Sequence, residues 1–279
     1  MPKSKNFKEL ALTVVVPTYN ERDNIKPLIA LLDETLNTID WEIVFVDDDS
    51  PDGTAQEVRK IARSRQNVRI IHRVGRRGLS GACIEGILSS SAPFAAVMDG
   101  DLQHDETILV SMLKLLENDA NLDLVVGSRN ISGGSVGSGL TKIRSIGSDV
   151  ATFVARRLLK INVADPMSGF FMIRLKSFRS VVEELQMQGF KILTDLLSAS
   201  RGNWNVVEIP FIFKERQFGE SKMDSAVTLE YFGLILARLT GGRVSIRLVL
   251  FLFVGLTGVF VQLLMVALFL KILNFNFFY

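Results

Sequence analysis

Short apolar runs alternate with longer amphipathic stretches between Leu12 and Val126. The apolar runs are rich in β-branched residues and predict buried strands at Leu12–Val16, Trp41–Val46, Val68–His72, Phe94–Met98 and Leu122–Val126. Stretches with helical spacing separate them, at Asn24–Leu36, Thr54–Arg63, Leu79–Ser90 and Glu106–Glu117. Strands that are apolar throughout and joined by helices predict a parallel sheet with helices on both faces. The pattern therefore indicates an α/β domain.

Beyond residue 130 the pattern is less regular. Ile131–Gly139 is rich in glycine and predicts a mobile loop or a hinge. A helix is predicted over Thr141–Lys160, and further strands over Phe170–Ile173 and Trp204–Phe213. These elements extend the same domain.

The last part of the chain has a different composition. Leu248–Leu270 contains no charged residue and would extend about 35 Å as a helix, enough to cross a bilayer. The alternative, a buried core helix, would need protein on every side. Val227–Leu239 is amphipathic and predicts a helix on a membrane surface. Arg238, Arg243 and Arg247 precede the uncharged run, so the positive-inside rule places the N-terminal part in the cytoplasm.

These patterns divide the chain into three parts. We predict a folded domain over residues 1–224, an interface helix over 225–245 and a transmembrane segment over 246–279. The final residues Asn274–Tyr279 are typical of the entry to another apolar element, so we expect a truncated membrane domain. The net charge of +2 does not indicate a nucleic-acid partner, and the single cysteine, Cys83, excludes an internal disulfide and fits a reducing compartment.

Polar clusters follow four of the predicted strands. They are Pro17–Glu21, Asp47–Ser50, Asp99–Asp101 and Gly127–Arg129. Ligands of open parallel sheets bind beyond the carboxyl ends of the strands. The four clusters are therefore expected to form one site.

Asp99 and Asp101 are the most informative pair in these clusters. Two carboxylates two residues apart at the end of a strand would project to the same side of an extended backbone. A divalent cation would neutralise them and would bring a phosphate with it, and Gln103 could add an amide oxygen. The alternative is a turn that carries two solvated acids.

Three segments, in this order and spacing, resemble family-2 glycosyltransferases: Val14–Glu21, Val46–Thr54 and Met98–Gln103. The resemblance implies the GT-A fold, a nucleotide-binding α/β sheet. Asp165–Phe170 and Lys214–Lys222 are similar to motifs of the polyprenol-phosphate glycosyltransferases, especially the dolichol-phosphate mannose synthases. The resemblance covers roughly residues 12 to 225.

The resemblance also implies roles for individual residues. Contacts to the nucleotide sugar are implied for Pro17, Tyr19, Glu21, Val46, Asp48, Asp99, Gly100, Asp101, Ser168, Arg216 and Lys222. Binding of Mg²⁺ or Mn²⁺ is implied for Asp99, Asp101 and Gln103. Binding of the acceptor phosphate is implied for Arg129, Arg144 and Ser145. The expected catalytic residues are Asp99, Asp101, Arg129 and Arg144.

Other residues near these motifs are given structural interpretations. Asp47, Asp49 and Asp52 are interpreted as turn formers or helix caps. His104 is interpreted as the neighbour of a helix start rather than a metal ligand. Gly75–Gly78 has the look of a phosphate loop but lacks the Walker spacing, so we interpret it as the loop after the third strand.

The function that the resemblance implies is transfer of one hexose to a polyprenyl phosphate, with inversion and with a divalent cation. GDP-mannose is the expected donor, the cytoplasmic face of the cell membrane is the expected location, and no nucleic acid is expected as a partner. Three alternatives stay open: a UDP-glucose-dependent enzyme, a membrane-tethered nucleotide-sugar binding module without turnover, and a processive polysaccharide synthase. The Gln-x-x-Arg-Trp motif usual in the last class is absent.

Overall fold

A computed structural model describes residues 9–136, 162–187, 191–214 and 246–272. The chain divides into two compact units, Met1–Asp224 and Ser225–Tyr279. The predicted helix Thr141–Lys160 and the predicted surface helix Val227–Leu239 lie outside the described residues.

The first unit is built on a seven-stranded sheet, counted over the described residues. The strands of the unit are β1 (Leu12–Thr18), β2 (Trp41–Asp47), β3 (Val68–His72), β4 (Phe94–Val97), β5 (Leu122–Ser128), β6 (Ser135–Val136), β7 (Phe171–Arg174), β8 (Asn205–Pro210) and β9 (Ile212–Phe213). The order in the large sheet is β3-β2-β1-β4-β7-β5-β8, and β6 pairs with β9 in a small parallel sheet. In the large sheet β7 is antiparallel to both of its neighbours, whereas the other pairs are parallel.

Helices cover both faces of this sheet. They are α1 (Ile25–Thr35), α2 (Thr54–Ala62), α3 (Leu79–Leu88), α4 (Leu109–Asn118), α5 (Leu175–Arg179) and α6 (Ile192–Ala199). Alternate residues of β1 point to opposite faces, as the pleat of a strand requires. Val14 and Val16 pack in one hydrophobic cluster with residues of α1 and α4, and Val15 packs in a second cluster with residues of α3 and α6. The expected α/β architecture is confirmed.

The strand predicted at Phe170–Ile173 is present as β7, and its antiparallel direction, which hydrophobicity does not indicate, is compatible with the expected mostly parallel sheet. Three details differ from the sequence predictions. The predicted strand Trp204–Phe213 is divided at Phe211, whose buried side chain and bond to Ser128 separate β8 from β9. The predicted mobile loop contains β6, whose backbone pairs with β9. The helix predicted from Glu106 begins as a 3-10 turn, which the Asp105 side chain caps by accepting a hydrogen bond from Thr107 N at 3.2 Å.

The second unit contains α7 (Ile246–Ile272). Its segment Phe251–Phe269 is long and apolar enough to cross a membrane, and it is not buried within the protein. The prediction of a long apolar helix is confirmed for the described residues.

Candidate active site

The parallel register of β1 and β2 brings the first two polar clusters side by side. Thr18 and Asp47 are partners across the ladder, and Asp48 N donates to the Thr18 carbonyl at 3.0 Å. The fully buried Asp47 carboxylate accepts hydrogen bonds from Ser50 N at 3.0 Å and from Ser50 Oγ at 2.6 Å. Asp47 therefore forms the turn, as interpreted from the sequence.

Asp48 is held by the loop that follows β3. Arg73 Nη1 donates to Asp48 Oδ1 at 2.6 Å, and Gly78 N donates to Asp48 Oδ2 at 2.7 Å. Burial raises the pKa of Asp48, although the bonds from Gly78 and Arg73 oppose that rise. The segment Gly75–Gly78, interpreted from the sequence as the loop after the third strand, thus contacts Asp48, a residue predicted to contact the nucleotide sugar.

The residues after β1 form the neighbouring wall. The guanidinium of Arg77 lies over the Tyr19 ring, 4.5 Å from its centroid. Glu21 accepts a hydrogen bond from Asn24 Nδ2 at 2.6 Å, and Pro17 is half-buried. The Val46 side chain is fully buried in the core, so any contact of this residue with a ligand would come from its main chain.

The acidic turn follows β4 directly. Because β4 ends at Val97 and the backbone turns at Gly100, the expectation that both carboxylates project from an extended strand is wrong. The Asp99 side chain is 38% exposed, whereas Asp101 is 6% exposed and accepts a hydrogen bond from Gln103 N at 3.2 Å. A Cβ at Gly100 would lie 3.3 Å from Val16 Cγ1, so packing against β1 favours glycine there.

The buried His104 side chain stabilises this turn. Its Nδ1 accepts a hydrogen bond from Asp99 N at 3.1 Å, and its ring stacks on Phe170 with centroids 5.0 Å apart. Burial lowers the pKa of His104 to about 4, against the opposing charge of Asp101. His104 is therefore a neutral, buried support of the Asp99 main chain at physiological pH.

Residues 168 and 169 close the site beside Asp99. A Cβ at Gly169 would lie 2.9 Å from Asp99 Oδ2, so only glycine leaves room for that carboxylate. The buried Ser168 hydroxyl donates to the Gly127 carbonyl at 2.6 Å and accepts from Phe170 N at 3.2 Å. The hydroxyl of Ser168 thus joins β5 to the start of β7.

Arg129 follows β5, and Asp165 fixes the orientation of its side chain. Its Nε and Nη2 donate to the two oxygens of Asp165, at 2.8 and 3.0 Å. Glu208 in turn accepts from Ala164 N at 2.8 Å and from Asp165 N at 3.1 Å. Burial lowers the pKa of Arg129, but its bonds and ion pair with Asp165 and the charge of Asp99 outweigh this and raise it. Arg129 therefore stays charged in a fixed orientation.

Lys191 is a site residue that the sequence analysis missed. It precedes α6 and lies within electrostatic range of Arg129, Asp99 and Asp165. Burial, reinforced by the charge of Arg129, lowers the pKa of Lys191 to about 8, against the two acids. The one signal in the sequence is a lysine between Phe190 and the apolar Ile192.

Gln103 connects the acidic turn to the next predicted motif. The side-chain Nε2 of Gln103 donates to the main-chain carbonyl of Lys214 at 3.0 Å. The main-chain carbonyl of Gln103 accepts from Lys214 N at 2.8 Å. Lys214 Nζ also pairs with Glu106 at 3.1 Å. The start of the Lys214–Lys222 segment is thereby attached to the acidic turn.

The donor set of this site consists of oxygens. Across the described ranges, no group of three or more His, Cys, Asp or Glu side chains is arranged to hold a metal ion. Two carboxylates, Asp99 and Asp101, and the Gln103 amide fit a hard cation that takes its other ligands from phosphate and water. Arg144, Ser145, Arg216 and Lys222 lie outside the described residues.

A mostly parallel sheet with one antiparallel strand, and an acidic turn at its carboxyl edge, define a transferase domain of the GT-A type. The chain matches the model of glycosyl transferase family 2 over residues 13–182 and belongs to that family. It is a glycosyltransferase.

Three relatives named dolichol-phosphate mannosyltransferase are similar to most of the chain. The protein from Pyrococcus furiosus is 37% identical over 255 residues, covering 91% of this chain and 70% of the relative. The Mycosarcoma maydis protein is 37% identical over 250 residues, covering 85% and 83%. The Saccharomyces cerevisiae protein is 34% identical over 227 residues, covering 78% and 83%.

Solved structures give the same fold at low identity. Glucosyl-3-phosphoglycerate synthase from Mycobacterium tuberculosis, in complex with Mn²⁺, UDP-glucose and phosphoglyceric acid, matches with a TM-score of 0.61 at 17% identity. That match covers 83% of this chain and 80% of the other. The same enzyme with Mg²⁺ and UDP matches with a TM-score of 0.62 at 16% identity.

Proposed function

We propose that this glycosyltransferase transfers mannose from GDP-mannose to a polyprenyl phosphate of the dolichyl type. The observation that carries the proposal is the meeting of an acidic turn, Asp99 and Asp101, with the cations Arg129 and Lys191 at one edge of the sheet. Such a site suits two phosphorylated substrates, which repel each other unless their charge is compensated. The names of the three relatives support a lipid phosphate as acceptor and mannose as the sugar.

On the donor side, the nucleoside would lie at the ends of β1 and β2. Tyr19 offers an aromatic face, and Glu21 and Asp48 offer carboxylate acceptors for hydroxyl and N–H donors. Pro17 and the main chain of Val46 complete this wall. Arg216 and Lys222 are proposed as cations for the diphosphate, and Ser168 as a residue at the sugar pocket.

Asp99, Asp101 and Gln103 are the residues that would hold Mg²⁺ or Mn²⁺. When bound, the cation supplies charge compensation for the leaving nucleoside diphosphate. Because Gln103 Nε2 donates to the main-chain carbonyl of Lys214, the side-chain oxygen of Gln103 points away from that carbonyl. Gly169 keeps space open for the Asp99 carboxylate.

On the acceptor side, the lipid phosphate is already anionic near neutral pH. One of its oxygens can attack the anomeric carbon without a general base, while the bond from that carbon to the diphosphate breaks and inverts the configuration. Arg129, with Arg144 and Ser145, would hold the phosphate in line for this attack. A planar guanidinium fixed by Asp165 suits that task, because it presents its donors in one orientation.

The membrane segment would hold this site beside its lipid substrate. The uncharged segment Phe251–Phe269 of α7 is proposed to cross the cell membrane, with Arg238, Arg243 and Arg247 on the cytoplasmic side. The catalytic domain would then face the cytoplasm.

Transfer into lipid tests the proposal directly. The full chain, reconstituted in liposomes with polyprenyl phosphate, is given radiolabelled GDP-mannose or UDP-glucose, with Mg²⁺, with Mn²⁺ or with a chelator. We expect lipid-extractable label from GDP-mannose alone, and only with a cation. Label from UDP-glucose would favour the glucosyltransferase, and binding of nucleotide without any transfer would favour a binding module.

Two variants make this assay specific for the acidic turn. Asp101→Asn should lower the transfer rate by about 100-fold or more, since it removes a charged cation ligand from a buried position. Glu117→Gln removes an exposed carboxylate of α4 and should leave the rate unchanged. Equal rates in both variants would contradict the role given to Asp101.

A further inference from the structure

Arg73 is a buried arginine immediately after β3, outside every motif that the sequence analysis used for function. Its side chain is 4% exposed and donates from Nη1 to Asp48 Oδ1 at 2.6 Å and to the Gly78 carbonyl at 3.0 Å. Gly78 N donates back to Asp48 Oδ2 at 2.7 Å. Asp48, Arg73 and Gly78 thus form a closed ring of hydrogen bonds.

The fold makes room for this arginine at Gly81. A Cβ at Gly81 would lie 2.8 Å from Arg73 Nη2 and 2.8 Å from the Met187 carbonyl. Gly81 lies inside helix α3, where glycine is unfavourable, and its backbone does not require a positive φ. The glycine is therefore explained by the space that the Arg73 guanidinium occupies.

The same strand carries a second arginine pair that serves as a comparison. Arg69 Nη1 donates to both oxygens of the buried Glu42, at 2.9 Å each. Glu42 stands near the amino end of β2, whereas Asp48 follows the carboxyl end, where its N donates to the Thr18 carbonyl of β1 at 3.0 Å. The two pairs are similar in chemistry, but only the Arg73 pair lies at the ligand edge of the sheet.

Resting on the proposed function, we propose that Arg73 is a positioning residue that fixes the Asp48 carboxylate for guanine and so makes the site select GDP-linked over UDP-linked sugars. Each Asp48 oxygen already accepts one bond, from Arg73 or from Gly78, which leaves each with acceptor capacity for one more donor. A tenth of the Asp48 side chain remains exposed, so a ligand can reach it.

The donor pattern of the bases explains the selection. Guanine presents two adjacent donors, N1–H and the 2-amino group, which match the two oxygens of one carboxylate. Uracil presents a single N–H between two carbonyl oxygens, so it can donate to only one of the two carboxylate oxygens. If the Arg73 contact is lost, the carboxylate can rotate, and the match to two parallel donors is lost.

The test measures nucleotide binding by calorimetry with the full chain in detergent and Mn²⁺. GDP, IDP and UDP are compared, because IDP differs from GDP only by the 2-amino group. Wild type should prefer GDP to IDP and to UDP. Arg73→Met should weaken GDP binding by about 10- to 100-fold and bring the GDP and IDP affinities together. Arg73→Lys, which keeps one donor but not the planar fork, should restore part of the preference.

Two further variants separate positioning from stability. Arg69→Met removes the comparable pair at the other end of β3 and should keep the wild-type order of the three nucleotides, whatever its melting temperature. Gly81→Ala should reproduce the loss of the GDP preference by displacing Arg73, and it carries the test if Arg73→Met does not fold. A folded Arg73→Met with unchanged GDP:IDP:UDP ratios would overturn the inference. A wild-type chain that binds none of the three would instead refute the proposed function.

Discussion

Arg129 and Asp165 are joined by two parallel hydrogen bonds, from Nε to Oδ2 and from Nη2 to Oδ1. This geometry orients the guanidinium, and among the described residues nothing accepts a hydrogen bond from Arg129 Nη1. Asp165 is itself fully buried and is positioned by Glu208 through the main chain. The orientation of the proposed phosphate-binding arginine is therefore set by two acids that need not touch the substrate.

We expect Asp165→Asn to impair use of the lipid acceptor. An amide cannot accept both guanidinium bonds, so Arg129 loses its fixed orientation and an anionic partner. The KM for polyprenyl phosphate should rise by about 10-fold or more, while the affinity for nucleotide changes less. Steady-state kinetics with varied acceptor measure this. Glu184→Gln, which removes an exposed ion pair with Arg201, is the control and should change neither value.

We expect Lys191→Met to raise the stability of the fold and to weaken binding of the nucleoside diphosphate. A partly buried ammonium that forms no hydrogen bond or ion pair with another described residue destabilises the fold, and a methionine of similar length does not. The melting temperature at pH 7 should rise, while the affinity for the nucleoside diphosphate falls. A variant that loses stability and keeps full affinity would show that Lys191 is structural.

The same lysine predicts a pH dependence of stability. Its pKa is about 8 in the folded protein and 10.5 in a model compound, so between these values the unfolded chain binds more protons. The Lys191 contribution to the free energy of unfolding should therefore rise with pH from about 8 to 10.5. Denaturant titrations across this range test the point by difference, since Lys191→Met should lack that contribution.

Two glycine variants should separate the site from the core. Gly169→Ala would place a Cβ 2.9 Å from Asp99 Oδ2 and should lower the transfer rate by about tenfold or more with a small change in stability. Gly86→Ala would place a Cβ in steric conflict with Val15 Cγ1 in the core and should lower the melting temperature. If Gly169→Ala mainly lowered the melting temperature and Gly86→Ala mainly lowered the transfer rate, the position given to Asp99 would be contradicted.

The proposed orientation in the membrane can be tested with one introduced thiol. Cys83 is buried, and burial raises the pKa of its thiol, so it should not react. Glu117→Cys then supplies a single reactive group on an exposed position of α4. A membrane-impermeant maleimide should label it only after cell lysis. Labelling of intact cells would place the catalytic domain outside.

The sequence was sufficient for the elements whose hydrophobic pattern is strong. The five predicted strands from Leu12 to Val126 and the helices between them were confirmed to within a few residues, because each buries a continuous apolar face. Strand direction and pairing depend on contacts distant in sequence. The antiparallel β7 and the pairing of β6 with β9 could therefore not be predicted.

The site shows the same division. Residues at strand ends, such as Asp48, Asp99 and Asp101, are recognisable from their motifs. Lys191 and Arg73 act through burial and through partners that are distant in the chain, and neither property is visible in the local sequence. Their roles emerge only from the fold.

Binding of Mn²⁺ together with GDP tests the central claim most directly. In crystals of the chain grown with both, anomalous scattering should give one strong peak at coordination distance from Asp101 and from the diphosphate oxygens, with Asp99 and Gln103 beside it. The guanine should lie at the ends of β1 and β2. A nucleotide bound elsewhere, or bound with no ion near Asp99 and Asp101, would contradict the account.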